Sequence, residues 1–316
     1  MKSLASNSCP GSFSVVCAVP LVLAMCWHPA LAEDDDNVTF SSETRLVPLS
    51  VTVQDKTMHL VTNLSRSAFQ VYENGVLQPL KVFKREDVEI SLGLIIDSSG
   101  SMRNKREQVA AAALDLVKDS NPRDEVFIID FNDEVYMDSD FTSDTVKMEK
   151  ALAKIPVRGG TAMRDAIRTS IEHLKKGAKR DKKVLLVVTD GNDNASIINL
   201  EALVREAQNS GVLLYAIGLL TEEERSEAKK ARRALDLLTE ATGGEAFYPK
   251  DPADVDRIAH HVAHDLRNQY SIAYSPTNPK LDGSYRQIKV VVTGPGHPMA
   301  RTRSGYYANP NPTVKR

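Results

Sequence analysis

Cysteine is scarce in this 316-residue chain, and all three cysteines, Cys9, Cys17 and Cys26, lie near its start. Residues beyond them have no means of building a disulfide framework or a thiolate metal site. Long apolar runs are missing as well. The segment 15–26 falls short of the roughly 20 residues that a spanning helix needs, which disfavours an uncleaved anchor. Neither sign of charge dominates, and nothing in the balance points to nucleic acid. Two catalytic signatures are also absent: there is no Gly-x-Ser-x-Gly elbow and no Walker loop.

What is present begins with export. Lys2, the apolar segment 15–26 and Ala30-Leu31-Ala32 precede a sudden acidic run at 33–36. This is the order of a cleavable secretory signal over residues 1–32, with the cut after Ala32. It implies a secreted or periplasmic location, with no stable membrane span after cleavage. Leu23-Ala24-Met25-Cys26 is a poor lipoprotein box, because Met25 is larger than the small residue such boxes carry. The leader holds one basic residue and no acidic one, leaving 39 basic against 42 acidic side chains and a net charge near −3. Asn37, Asn63 and Asn194 each begin a glycosylation acceptor pattern, which a chain rich in Asn, Ser and Thr produces by chance.

The stretch 94–101, LIIDSSGS, organises the rest. Leu92, Leu94, Ile95 and Ile96 read as a strand buried on both faces, and the run stops at Asp97. Asp97, Ser99 and Ser101 then alternate, placing hard oxygen donors beyond a strand's carboxyl end, where open α/β sheets bind their ligands. Further strands are predicted at 125–131, 183–189 and 212–217. Helices are predicted at 105–118, 144–154, 164–175, 200–209, 224–242 and 252–268, with Thr221 as a cap before the fifth. Such alternation predicts an α/β fold, a doubly wound and mostly parallel sheet.

The flanks differ in kind. Runs at 46–53, 69–72 and 80–83, and again at 269–275, 285–293 and 301–307, alternate as antiparallel strands with one wet face. Three or four strands make a poor domain alone, so the two ends are expected to form one small β-sandwich with the α/β domain inserted between them. The expected limits are 33–87 for the N-terminal β segment, 88–268 for the inserted domain, 269–308 for the C-terminal β segment and 309–316 for a tail.

Two more loops carry oxygen ligands. Gly159-Gly160-Thr161 precedes a helix, and Val187-Val188-Thr189-Asp190-Gly191 ends a buried strand. With Asp97, Ser99 and Ser101, these motifs resemble a von Willebrand factor type A domain with its metal-ion-dependent adhesion site. The resemblance implies direct ligation by Ser99 and Ser101, with Thr161 direct or through water. Asp97 and Asp190 would hold coordinated waters or take a direct place. Few charges and several oxygens suit Mg²⁺, or Mn²⁺, with a final ligand supplied from outside. Arg267-Asn268-Gln269-Tyr270 and Arg303-Ser304-Gly305-Tyr306 are similar to closing patterns of a bacterial secreted group of these proteins. Unlike integrin β-subunit domains, the chain has Arg103-Asn104-Lys105 after Met102, which argues against a neighbouring calcium site.

The resulting expectation is a non-catalytic adhesion module that captures a carboxylate of a protein or surface partner through the metal. Asn132, Asp133, Asn192 and Asp193 follow two strands at the ligand edge and, with Gly160, are candidates for partner contacts; turn chemistry is the alternative. A secreted hydrolase, a metal-dependent accessory subunit of one, and a scaffold with a vestigial metal loop are the rivals. Gly160-Thr161-Ala162-Met163 is similar to the subtilisin nucleophile loop, but Ala162 stands at the nucleophile position. His260 and His264, one helical turn apart, lack the Glu of a His-Glu-x-x-His pattern and a third ligand.

Overall fold

The computed structural model describes residues 45–85, 87–119, 121–220 and 225–310. The signal and its cut site, the Asn37 pattern, the Thr221 cap and residues 311–316 of the tail lie outside the described residues.

The strand before Asp97, β5 (Ile90–Asp97), is buried along its whole length. It is central in a six-stranded sheet of order β10-β9-β8-β5-β6-β7. Its neighbours are β6 (Glu125–Phe131) and β8 (Lys182–Thr189), both parallel to it. Beyond β8 come β9 (Leu213–Gly218) and the two-residue β10 (Ala246–Phe247), again parallel.

Strand residues alternate between two cores, as the pleat requires. Leu92, Leu94 and Ile96 pack with Val109 and Leu116 of α1 (Arg106–Lys118), Met148 of α2 (Thr145–Lys154), and Val255 and Val262 of α6 (Asp254–Arg267). Ile95, Phe127 and Ile129 face α3 (Met163–Gly177), α4 (Leu200–Ser210) and α5 (Arg225–Thr242) through Ile167, Leu203 and Leu238. Helices therefore cover both faces, giving a Rossmann-like α/β fold with a mixed sheet. The helices start where polar caps allow: the Asp144 carboxylate accepts from Val146 N and Lys147 N, and Asn199 accepts from Ala202 N.

Two strands of this sheet were not expected, the two-residue β10 and the one that follows β6. β7 (Val135–Thr142) pairs antiparallel with β6 at the sheet edge. Its three acidic or hydroxyl positions between 138 and 140 read as loop, and only the edge position makes them tolerable, because one side of the strand stays unpaired and wet.

The remaining strands form two four-stranded sheets, ordered β13-β1-β11-β4 and β14-β12-β2-β3. Both draw on the two chain ends. In the first, β1 (Val47–Gln54) pairs with β11 (Tyr270–Tyr274), which pairs with β4 (Leu80–Lys84). In the second, β2 (Phe69–Glu73) lies between β12 (Tyr285–Val292) and the unexpected β3 (Val76–Gln78). Val51, Phe69, Val71, Tyr270, Ile272 and Ile288 belong to one apolar cluster drawn from both sheets.

The single strand expected at 301–307 is in fact two. β13 (Met299–Arg301) pairs with β1, and β14 (Gly305–Tyr307) pairs with β12. The chain changes sheets over Thr302–Ser304, and Gly305 allows the second pairing: a Cβ there would stand 2.4 Å from the Arg286 carbonyl oxygen.

Polar side chains join the α/β part to these sheets. The fully buried Asp265 of α6 accepts from Thr52 Oγ1 at 2.8 Å, from the Tyr215 hydroxyl and from Arg301 at 2.7 Å. Gln269 Nε2 donates to Thr52 Oγ1 at 2.9 Å and to the Tyr215 hydroxyl at 3.1 Å. Arg267 holds Asp87 at 2.8 Å and also pairs with Asp124. The Arg-Asn-Gln-Tyr stretch is thus a structural tie.

Candidate metal centre

At the carboxyl ends of β5 and β8 the chain leaves the sheet in two loops that meet. Asp97, only 2% exposed, accepts from Ser99 N at 2.8 Å through Oδ1 and from Thr189 Oγ1 at 2.6 Å through Oδ2. The loop is pinned underneath by the buried Met102, which packs in the core below a short 3₁₀ turn, Gly100–Asn104. Ser99 and Ser101 hydroxyl oxygens lie 3.1 Å apart, and Ser101 Oγ donates to Asp190 Oδ1 at 2.7 Å across 89 positions of sequence.

The third loop is tied to the first. Arg158 N donates to Ser98 O at 2.9 Å and Gly100 N to Gly159 O at 3.3 Å. Gly159 has φ +77°, and a Cβ on it would stand 2.2 Å from Asp133 Oδ2, so this position accepts no side chain. The Thr161 hydroxyl points toward the Asp190 loop, 3.7 Å from where a Gly191 Cβ would be. Asp97, Ser99, Ser101, Thr161 and Asp190 are therefore gathered at one sheet edge from three loops. Among the described residues no group of three His, Cys, Asp or Glu side chains is placed to hold a metal ion, and three of the five donors gathered here are hydroxyls.

Burial raises the Asp97 carboxyl to about 6, the Asp190 charge adding to the rise while the Ser99 and Thr189 hydrogen bonds oppose it. A buried carboxylate held against its preference for a proton favours a nearby cation. Asp190, whose side chain is 1% exposed, already has one: Lys105 Nζ donates to its Oδ2 at 2.6 Å. Two carboxylates and three hydroxyls fit a hard divalent ion, while the Lys105 ammonium holds one of those carboxylates in its place.

The residues considered for partner contacts are engaged inside the loops. Asp133 Oδ1 accepts from Gly160 N at 2.8 Å, and Asn132 bonds Ser98 and the Glu134 backbone. Asn192 donates to Glu227 at 2.7 Å, and Asp193 accepts from Arg164 N at 2.7 Å at the start of α3. Sequence reasoning did not identify Lys105, Thr189 or Asn194, whose Oδ1 accepts from Thr161 N at 2.9 Å. Each acts through a long-range contact, and no local spacing signals it. His260 is held by Asp119 and, at 3.4 Å, Asp256 on its own helix, far from these loops in sequence.

Residues 92–192, which include all five gathered side chains, match the family model described as von Willebrand factor type A domain. The chain contains a von Willebrand factor type A domain over that stretch. Such domains are commonly protein-binding modules, typically without catalysis. Inter alpha-trypsin inhibitor heavy chain 4 of Mus musculus is 29% identical over 229 residues, covering 63% of this chain and 23% of the relative. The chain thus spans less than a quarter of that relative's length. Among solved structures, a von Willebrand factor type A protein from Catenulispora acidiphila aligns with TM-score 0.47 and 14% identity, covering 86% of this chain and 75% of its own. Proximal thread matrix protein 1 from the mussel byssus, described with a zinc-occupied MIDAS motif, aligns with TM-score 0.48 and 18% identity over 61% of this chain and 49% of its own. No helix among the described residues is long and apolar enough to cross a membrane.

Proposed function

We propose that this von Willebrand factor type A domain protein is an exported, non-catalytic adhesion module that takes a carboxylate of a protein or surface partner at a divalent-metal site. The residues holding Mg²⁺, or Mn²⁺, are Asp97, Ser99, Ser101, Thr161 and Asp190. The observation carrying this reading is the hydrogen-bonded chain Asp97–Ser99–Ser101–Asp190, closed at 2.7 Å between loops 89 positions apart. When bound, the ion supplies an open position of positive character, attractive to an outside carboxylate.

The protein's own groups do the positioning. Thr189 and Ser99 N–H fix both Asp97 oxygens, so that carboxylate is aimed before any ligand arrives. Ser98, donating to Asp130 at 2.5 Å, anchors the loop from behind. Asn132, Asp133, Gly160, Asn192 and Asp193 shape the surrounding rim. The site is carried by an inserted domain, 88–268, on a β-sandwich formed from 33–87 and 269–308; the apolar cluster common to both four-stranded sheets supports that division.

Calorimetry with Mg²⁺ on wild type and Asp97→Ala tests the reading. Metal-linked heat and a metal-dependent rise in Tm are expected for wild type and not for the variant. Pull-downs from an extracytoplasmic fraction with and without EDTA then test metal-dependent capture. Wild type without metal-linked heat, or capture indifferent to EDTA, would refute the proposal.

A further inference from the structure

At the opposite end of the sheet from Asp97, the first residues of β8 and β9 face the β1-β11-β4 strands across a cavity of about 300 Å³. Lys182 begins β8 and Thr189 ends it, so at about 3.3 Å per residue this cavity lies roughly 23 Å from the Asp190 loop. Pro48 and Val82, with Val212 and Leu213 opposite, form the apolar part of the lining, because Leu49 and Ile272 alternate into the cluster between the two four-stranded sheets. The charged lining is one-sided: Lys84, Lys182, Lys183 and Arg303 stand against Asp181 alone.

Arg303 is the anomaly. Among the described residues, four arginines have a buried Nε without a hydrogen-bond partner: Arg164, Arg267, Arg301 and Arg303. The first three each place a terminal nitrogen on a carboxylate: Arg164 on Asp193 at 3.0 Å, Arg267 on Asp87 at 2.8 Å and Arg301 on Asp265 at 2.7 Å. Arg303 forms no ion pair among the described residues, and its guanidinium stacks over Tyr306 at 5.5 Å from the ring centre. The neighbouring Thr302 hydroxyl is also buried and unpartnered. Among the described residues Lys182 Nζ donates once, to Leu266 O at 2.6 Å, of the three donors an ammonium carries, and burial pushes it down to about 8.

A half-buried guanidinium whose Nε is fully buried, with no counter-charge among the described residues, is destabilising, and orphaned buried donors in a native fold call for a partner. We propose that this cavity binds a small organic anion, with its carboxylate or phosphate group on Arg303 and Thr302 and a short apolar body against Pro48, Val82 and Val212. Lys182 and Lys183 supply the surrounding positive potential. The volume is at the lower end for ligand pockets, which limits the body to a few carbons.

The test uses the full chain in EDTA, so its outcome is independent of the metal centre. Hexyl phosphate, hexanoate, hexan-1-ol and inorganic phosphate are titrated by calorimetry and thermal shift. One of the two hexyl anions should bind at least tenfold more tightly than hexanol, and the tighter of them assigns the headgroup. Arg303→Met should lose that preference while melting no lower than wild type in the absence of ligand, and Thr302→Val should weaken it without loss of fold. Equal binding of anion and alcohol, or an Arg303→Met protein that keeps the preference, would overturn the proposal. So would ligand-free melting several degrees lower with no anion response in wild type, since Arg303 would then serve the fold alone.

Discussion

Lys105 offers the sharpest test of the metal centre, because its ammonium and an arriving cation need the same carboxylate. Lys105 Nζ is 2.6 Å from Asp190 Oδ2, with the two side chains 17% and 1% exposed. A hydrogen bond to a charged partner contributes about 1.5–3 kcal/mol, and about 2 kcal/mol is a fair value for a pair that Ser101 also supports. Lys105→Met removes the competitor, so Mg²⁺ should bind about thirtyfold more tightly, at 1.4 kcal/mol per tenfold. Without metal the same change strands Asp190, and Tm should fall by about 4–8 °C for a body of this size. Saturating Mg²⁺ should close that gap, while Lys105→Arg should behave nearly as wild type. Calorimetric Kd and melting curves with and without Mg²⁺ read both arms. Unchanged or weaker Mg²⁺ binding in Lys105→Met would refute the competition.

Two further outcomes are expected. Burial, with the neighbouring Asp130 charge, raises Asp138 of the edge strand to about 7 from an ordinary value of 3.8. The folded state therefore keeps this proton longer than the unfolded one, so stability present at pH 4 is progressively lost as pH rises to 7; Asp138→Asn should flatten that part of a Tm–pH curve, and an unaltered slope would exclude Asp138 as its source. Gly159→Ala forces a Cβ toward Asp133 Oδ2 at a φ of +77°, a strain of about 1–3 kcal/mol, and should lower both Tm and Mg²⁺ affinity; unchanged affinity would separate this loop from the metal centre.

The α/β fold was legible because its signals are local. The unbroken apolar run before Asp97 announces a strand covered on both faces, and caps such as Asp144 announce helices within a residue or two of their starts. β7 escaped because an edge strand keeps polar residues that look like a loop, and the split at Thr302 escaped because changing sheets leaves no mark on an alternating pattern. The oxygen donors were legible one loop at a time. Lys105, Thr189 and Asn194 were not, since their partners lie 85, 92 and 33 positions away.

By itself, the sequence determined which chemistry is available: oxygen donors after buried strands, no thiols beyond residue 26, and no serine at the one loop resembling a nucleophile. Periodicity and hydrogen-bonding capacity are properties of neighbouring residues, so they survive in one dimension. Only the tertiary structure decided which groups share a charge environment. It set an ammonium on Asp190, raised Asp97 by burial, and left Arg303 beside a cavity without a counter-charge among the described residues. Desolvation and Coulomb energy depend on distance in space, and packing alone fixes that distance.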